Sequence, residues 1–125
     1  MDENHNKIVI VDDDPDMYRL VQMKLEESGY QVQVANDGIS GLALVQKEKP
    51  SMAILDVMMP GMNGYMICRK LKDDPDCKNI PVLLLTGRST ESDQFWGIEA
   101  GADGYITKPF NVDEVLAKVE ELIQK

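Results

Sequence analysis

Short β-branched runs alternate with longer stretches of helical period along the whole chain, and that alternation leaves few architectures open. Lys7-Ile-Val-Ile-Val11, Gln31-Val-Gln-Val-Ala35, Ser51 to Leu55, Ile80 to Thr86 and Ala102 to Thr107 read as strands. The first is apolar without alternation, as a strand buried on both faces must be. Between the strands, Met17, Leu20, Val21 and Leu25 mark one helix, opened by Pro15 and stopped by Ser28-Gly29. Ile39, Leu42 and Ala43 mark a second, reached through the turn Asn36-Asp37-Gly38 and ending near Lys49-Pro50. A third helix is expected from about Gly64 to Asp73, and a fourth, of weak periodicity, from about Glu91 to Ala100. The last is the clearest, with Val112, Val115, Leu116, Val119, Leu122 and Ile123 forming one apolar stripe. Strands alternating with helices imply a parallel sheet with helical crossovers.

At 125 residues the chain is one domain, large enough to bury roughly two thirds of its unfolded surface. No linker, repeat or charge block divides it; residues 1–6 read as a polar leader and about 7–124 as the core. A net charge of −9 and a pI near 4.5 argue against direct nucleic-acid binding, which needs a basic face. No apolar stretch reaches membrane-spanning length. The leader, with His5 in it, lacks the apolar segment of a secretory signal. Cys68 and Cys77 match no metal or redox motif, and read as reduced thiols of a cytoplasmic chain.

Polar residues collect where the strands stop. Asp12-Asp13-Asp14 follows the first, Asp56 the third, Thr86 ends the fourth, and Lys108-Pro109 closes the fifth. In an open parallel sheet, ligands bind outside the carboxyl ends of the strands, where the strand order reverses. With the order 2-1-3-4-5, strands one and three are neighbours, and Asp12 and Asp13 come close to Asp56. Carboxylates that close repel unless a cation lies among them. Oxygen-only ligands with no His or Cys favour a hard ion, Mg²⁺ above all. A carboxylate nucleophile, an ammonium and a hydroxyl around such an ion are what phosphoryl transfer requires.

The segments Ile-Val-Ile-Val-Asp12-Asp13-Asp14-Pro15, Leu-Asp56-Val-Met-Met-Pro60-Gly-Met-Asn-Gly64, Leu-Leu-Leu-Thr86-Gly87 and Ala-Gly-Ala-Asp-Gly-Tyr105-Ile-Thr-Lys108-Pro109-Phe110 resemble response-regulator receiver domains, in order and in spacing. The resemblance runs from about Lys7 to the end of the chain. It implies a three-layer, doubly wound (βα)5 flavodoxin-like fold with a five-stranded parallel sheet. It implies that Asp56 takes a phosphoryl group from the phosphohistidine of a sensor histidine kinase or a histidine phosphotransfer protein. Asp13, Asp56 and the backbone carbonyl of Met58 would bind Mg²⁺, with Mn²⁺ as a substitute, and Asp12 would act mainly through metal-bound water. Thr86 and Lys108 would contact the phosphoryl group, and Pro109 would follow a cis peptide bond. Tyr105 would rotate inward after Thr86 moves, remodelling the face of the fourth helix, fifth strand and last helix for a downstream protein. That face could also form a phosphorylation-dependent homodimer of an otherwise monomeric chain.

Asp14, just past the usual acidic pair, reads as a surface or helix-start residue. Gly87 stands where the family more often has Ala, and Met58 and Arg88 occupy pocket-flanking positions that vary in the family. The cluster Met58, Met59, Met62 and Met66 reads as packing, and Phe95 and Trp96 as partner surface or packing. The resemblance makes the chain a signalling phosphoacceptor, catalysing only its own phosphorylation and slow dephosphorylation. It fits either a stand-alone regulator or the N-terminal receiver of a longer protein. Two other readings compete. One is a receiver-like interaction module that takes no phosphate; such modules usually lack an acid, the Thr or the Lys. The other is a phosphohydrolase of the haloacid dehalogenase type with Asp12-Asp13-Asp14 as its nucleophile loop, which leaves Asp56 without a role.

Overall fold

The computed structural model describes residues 7–87 and 100–123. Five strands, β1 (Lys7–Val11), β2 (Gln31–Ala35), β3 (Met52–Asp56), β4 (Val82–Thr86) and β5 (Gly104–Thr107), pair in parallel in the order β2-β1-β3-β4-β5. Helices α1 (Pro15–Glu27), α2 (Gly38–Glu48), α3 (Gly64–Asp73) and α4 (Val112–Ile123) cover the sheet. The expected helix at about 91–100, with Phe95 and Trp96, lies outside the described residues except for its last position, as does Arg88.

Burial follows strand position. β3 and β4 are buried at every residue and β1 at all but the first, which accounts for their unbroken apolar runs. β2, at an edge, alternates between exposed and partly buried positions until Ala35. Successive residues of the central strands enter opposite layers. Ile8, Ile10, Met52, Ile54, Leu83 and Leu85 pack with α1 and α4, while Val9, Val11, Ala53, Leu55, Val82 and Leu84 pack with α2 and α3. The result is three layers, the doubly wound α/β arrangement expected from the sequence.

The helices begin at the end of the sheet where the strands finish, and each begins with a capped turn. Asp14 accepts from the Asp16 N–H at 3.1 Å, with Pro15 opening α1. Asp37 accepts from Ser40 at 2.7 Å, and Asn63 from Met66 at 3.0 Å. At α4 the capping is reciprocal between Asn111 and Glu114. Asp14 is thus the helix-start residue that its position implied. At the opposite end, Lys72 Nζ donates to Asp103, to the Ile80 carbonyl and to the Lys78 carbonyl at 2.8, 2.9 and 3.2 Å. Asp103 in turn accepts from the Val82 N–H at 2.8 Å, tying α3 to the starts of β4 and β5.

Candidate functional site

The strand order makes β3 the neighbour of both β1 and β4, and Val11 pairs with Leu55 while Asp56 pairs with Leu85. The chain therefore has to set Asp12, Asp56 and Thr86 side by side where three adjacent strands end. All three are buried, against the usual preference of such side chains. Carboxylate oxygens of Asp12, Asp13 and Asp56 lie within 4.8 Å of one another. Asp13 is exposed at the rim, so the cluster opens to solvent on one side.

Each acid is partly held by backbone. The Asp14 N–H donates to Asp12 Oδ1 at 2.9 Å, and the Met58 N–H donates to Asp56 Oδ1 at 3.1 Å. Lys108, carried just past β5, places its Nζ 3.3 Å from that same Asp56 oxygen. The Lys108–Pro109 peptide bond is cis. Asp12 Oδ2 is buried and accepts no hydrogen bond from the described residues. Burial pushes the Asp12 carboxyl up to about 6, and the neighbouring Asp56 adds to the rise against the opposing pull of the Asp14 N–H and Lys108.

Among the described residues, three carboxylates face one ammonium and one buried carboxylate oxygen is unpartnered, a site short of positive charge. An all-oxygen donor set of this kind suits a hard divalent cation. Asp12, Asp13 and Asp56 are thus brought together as the sequence implied, with Lys108 against Asp56. Thr86 is buried at the end of β4, one residue past Leu85, the register partner of Asp56 on β3, and pairs with Thr107 on β5. Gly87 is exposed just beyond it. Tyr105 is half-buried and packs against the α2/α3 layer. Of the methionines after Asp56, Met59 and Met62 pack into that layer, whereas Met58 and Met66 are 54% and 46% exposed and take no such part.

Residues 8–120 match the response regulator receiver domain. The chain belongs to the response regulator receiver family. Among relatives of this receiver, the DNA-binding dual master transcriptional regulator RpaA of Synechocystis is 44% identical over 119 residues. Response regulator PleD of Caulobacter vibrioides is 42% identical over 116. The matches cover 95% and 93% of the receiver but only 49% and 26% of those proteins, so it spans about half the length of the first and a quarter of the second. The signal receiver domain of a histidine kinase from Syntrophus aciditrophicus superposes with a TM-score of 0.88 at 38% identity, covering 95% of this chain and 90% of that one. A CheY-like receiver domain protein from Methanospirillum hungatei does so at 0.88 and 30%, covering 95% and 97%. The receiver accordingly has a phosphoacceptor role in two-component signalling, and Asp56, stranded by the phosphohydrolase reading, sits within the acidic cluster.

Sequence reasoning passed over three glycines. Gly38 was legible only as part of a turn, Gly41 as a helix residue and Gly64 as a helix start closing a receiver-like segment, yet all three are buried in close contacts around the site. The available signal was the pairing of Gly38 and Gly41 three apart, on one face of α2.

Proposed function

We propose that Asp56 is the phosphoacceptor and that Asp12, Asp13, Asp56 and the Met58 carbonyl hold Mg²⁺, or Mn²⁺ in its place. The observation that carries this reading is the cluster itself: three carboxylates within 4.8 Å, one of them 3.3 Å from the Lys108 ammonium. An Asp56 carboxylate oxygen attacks the phosphorus of a phosphohistidine on a sensor kinase or phosphotransfer protein. The P–O bond forms as the P–N bond breaks, and the imidazole leaves with the electron pair and takes up a proton. Bound Mg²⁺ would supply positive charge to the phosphoryl oxygens during transfer. Lys108 already faces Asp56 and supplies a second positive charge from β5.

The product carries roughly −1.5 to −2 charge and three acceptor oxygens where one carboxylate stood. Thr86, at the end of the neighbouring strand, would donate to it, and Tyr105, two residues before Thr107 on the next strand, is the aromatic that would follow. Repacking of the β5–α4 face then exposes a changed surface to a downstream protein or to a second copy. The receiver catalyses its own phosphorylation and slow dephosphorylation, works in the cytoplasm, and makes no direct contact with nucleic acid through its acidic surface.

Intact mass after incubation with acetyl phosphate tests the reading. One Mg²⁺-dependent phosphoryl adduct is expected on the wild type and none on Asp56→Asn. Labelling of the mutant at the wild-type level would displace Asp56 as acceptor. Metal binding with no adduct on the wild type, from acetyl phosphate or a kinase, would favour the interaction module.

A further inference from the structure

Helix α2 contributes no side chain to the acidic cluster, yet it is pressed against the segments that do. A Cβ on Gly38 would fall on the Met62 carbonyl oxygen and lie 2.8 Å from Met62 Cβ. Met62 stands near the end of the loop that begins at Asp56 and carries Met58. One turn further on, a Cβ on Gly41 would run into both γ-carbons of Val11, the residue before Asp12. Neither glycine has a positive φ, so neither is required by backbone conformation. Both are required by proximity.

At the other end of the same loop, a Cβ on Gly64 would lie 2.7 Å from the Asp56 carbonyl oxygen and 3.0 Å from Val57 Cα. The loop from Val57 to Asn63 is therefore gripped twice. Gly64 holds the first residue of α3 against the backbone of Asp56 and Val57, and Gly38 brings α2 down on Met62. Between these grips the Met58 side chain is exposed and its N–H is bound to Asp56 Oδ1. The Met62 contact is with main chain, so rotation of a side chain cannot relieve it.

We infer that Gly38 is a positioning residue for the metal site: its contact with Met62 sets the height of the acceptor loop and hence the place of the Met58 carbonyl. A methyl group there must lift either the loop or the first turn of α2. Lifting the loop moves a ligand carbonyl while leaving the three carboxylates where β1 and β3 end. The effect falls on metal affinity before it falls on the fold. This inference rests on the proposed Mg²⁺ site.

Calorimetric titration with Mg²⁺ alone separates the possibilities. Gly38→Ala is expected to weaken Mg²⁺ binding by about tenfold, the scale on which groups that orient a ligand act. Val45→Ala, on the same face of α2 but one turn beyond Gly41, is expected to lower thermal stability and leave Mg²⁺ affinity within about twofold of wild type. Should Gly38→Ala not fold, Met62→Gly keeps the carbonyl but removes the Met62 Cβ that also meets Gly38, so the loop is seated less firmly on α2 and Mg²⁺ binding is expected to weaken likewise. Unchanged affinity in a folded Gly38→Ala, or in Met62→Gly where the former does not fold, overturns the inference. So does an equal loss in Val45→Ala. Failure of the wild type to bind Mg²⁺ at all would instead remove the metal site on which the inference stands.

Discussion

On the face of the sheet that receives α1 and α4, the central strands present Ile8, Ile10, Met52, Ile54, Leu83 and Leu85. On the face that receives α2 and α3 they present Val9, Val11, Ala53, Leu55, Val82 and Leu84. Both faces are buried, but the second carries the smaller side chains, and its helices approach through bare glycines. Gly41 meets Val11, and Gly64 meets the Asp56 backbone. Large side chains fill the first layer and hold the sheet by burial. Small ones thin the second layer, so that the helices can bear directly on the loops of the site. One face supplies stability, the other supplies geometry.

Substitutions should act in opposite senses on the two faces. The largest loss is expected for Leu83→Ala on the α1/α4 face, where a buried leucine is deleted and a cavity left. About 2–5 kcal/mol of stability should disappear in urea unfolding, while Mg²⁺ affinity in the surviving folded protein stays as it was. A shift of the metal isotherm would show that this face, too, shapes the site.

On the α2/α3 face the damaging change is an addition. Gly41→Ala should cost about 1–3 kcal/mol by overpacking. Val11→Ala removes the very γ-carbons it strikes, so the double variant should be more stable than the sum of the singles, by about 0.5–3 kcal/mol of coupling. Additive losses would mean that the helix backs away from the sheet as a whole, and the close contact would lose its meaning.

A smaller effect separates charge from packing at the end of β1. The folded Asp12 carboxyl titrates near 6, above its ordinary value of 3.8, so the folded protein holds that proton more tightly than the unfolded chain. Its contribution therefore lowers metal-free stability as pH rises through that interval, and above about 6 the full penalty is in place. In chelator, Asp12→Asn should raise stability at pH 7 and flatten the slope between pH 4 and 7 relative to wild type. A mutant with the wild-type slope would assign the trend to other acids.

Periodicity carried most of the fold. The all-apolar character of β1, β3 and β4 follows from having a layer on each side, and a chain read for alternation finds them as buried strands at once. The ends were less legible. Ile80 and Pro81 looked like strand, but Pro81 has no N–H for the ladder and β4 starts at Val82. Ala102 and Asp103 also read as strand, yet β5 starts at Gly104, after Asp103 has turned its carboxylate to Lys72 and Val82. Among the site residues, Asp12, Asp13, Asp56 and Lys108 were readable because chemistry marks them: acids and a cation at strand ends have few other uses together. Gly38 and Gly64 were not, because a residue whose role is to be absent of side chain leaves no chemical mark. Beyond the spacing of Gly38 and Gly41, only the distance to Met62 and to Asp56 discloses it.

The ammonium that faces Asp56 arrives just past the last strand of the sheet, 52 residues further along the chain. It docks at an edge, held by β4 alone among the strands. A nascent chain, or one whose edge strand has peeled away, possesses the acids without their counter-cation. Contacts of such long sequence separation form late in folding, and edge segments are among the first to open again. The charge balance around Asp56 is thereby tied to completed assembly, and a half-folded copy holds the acidic cluster without the ammonium that faces it.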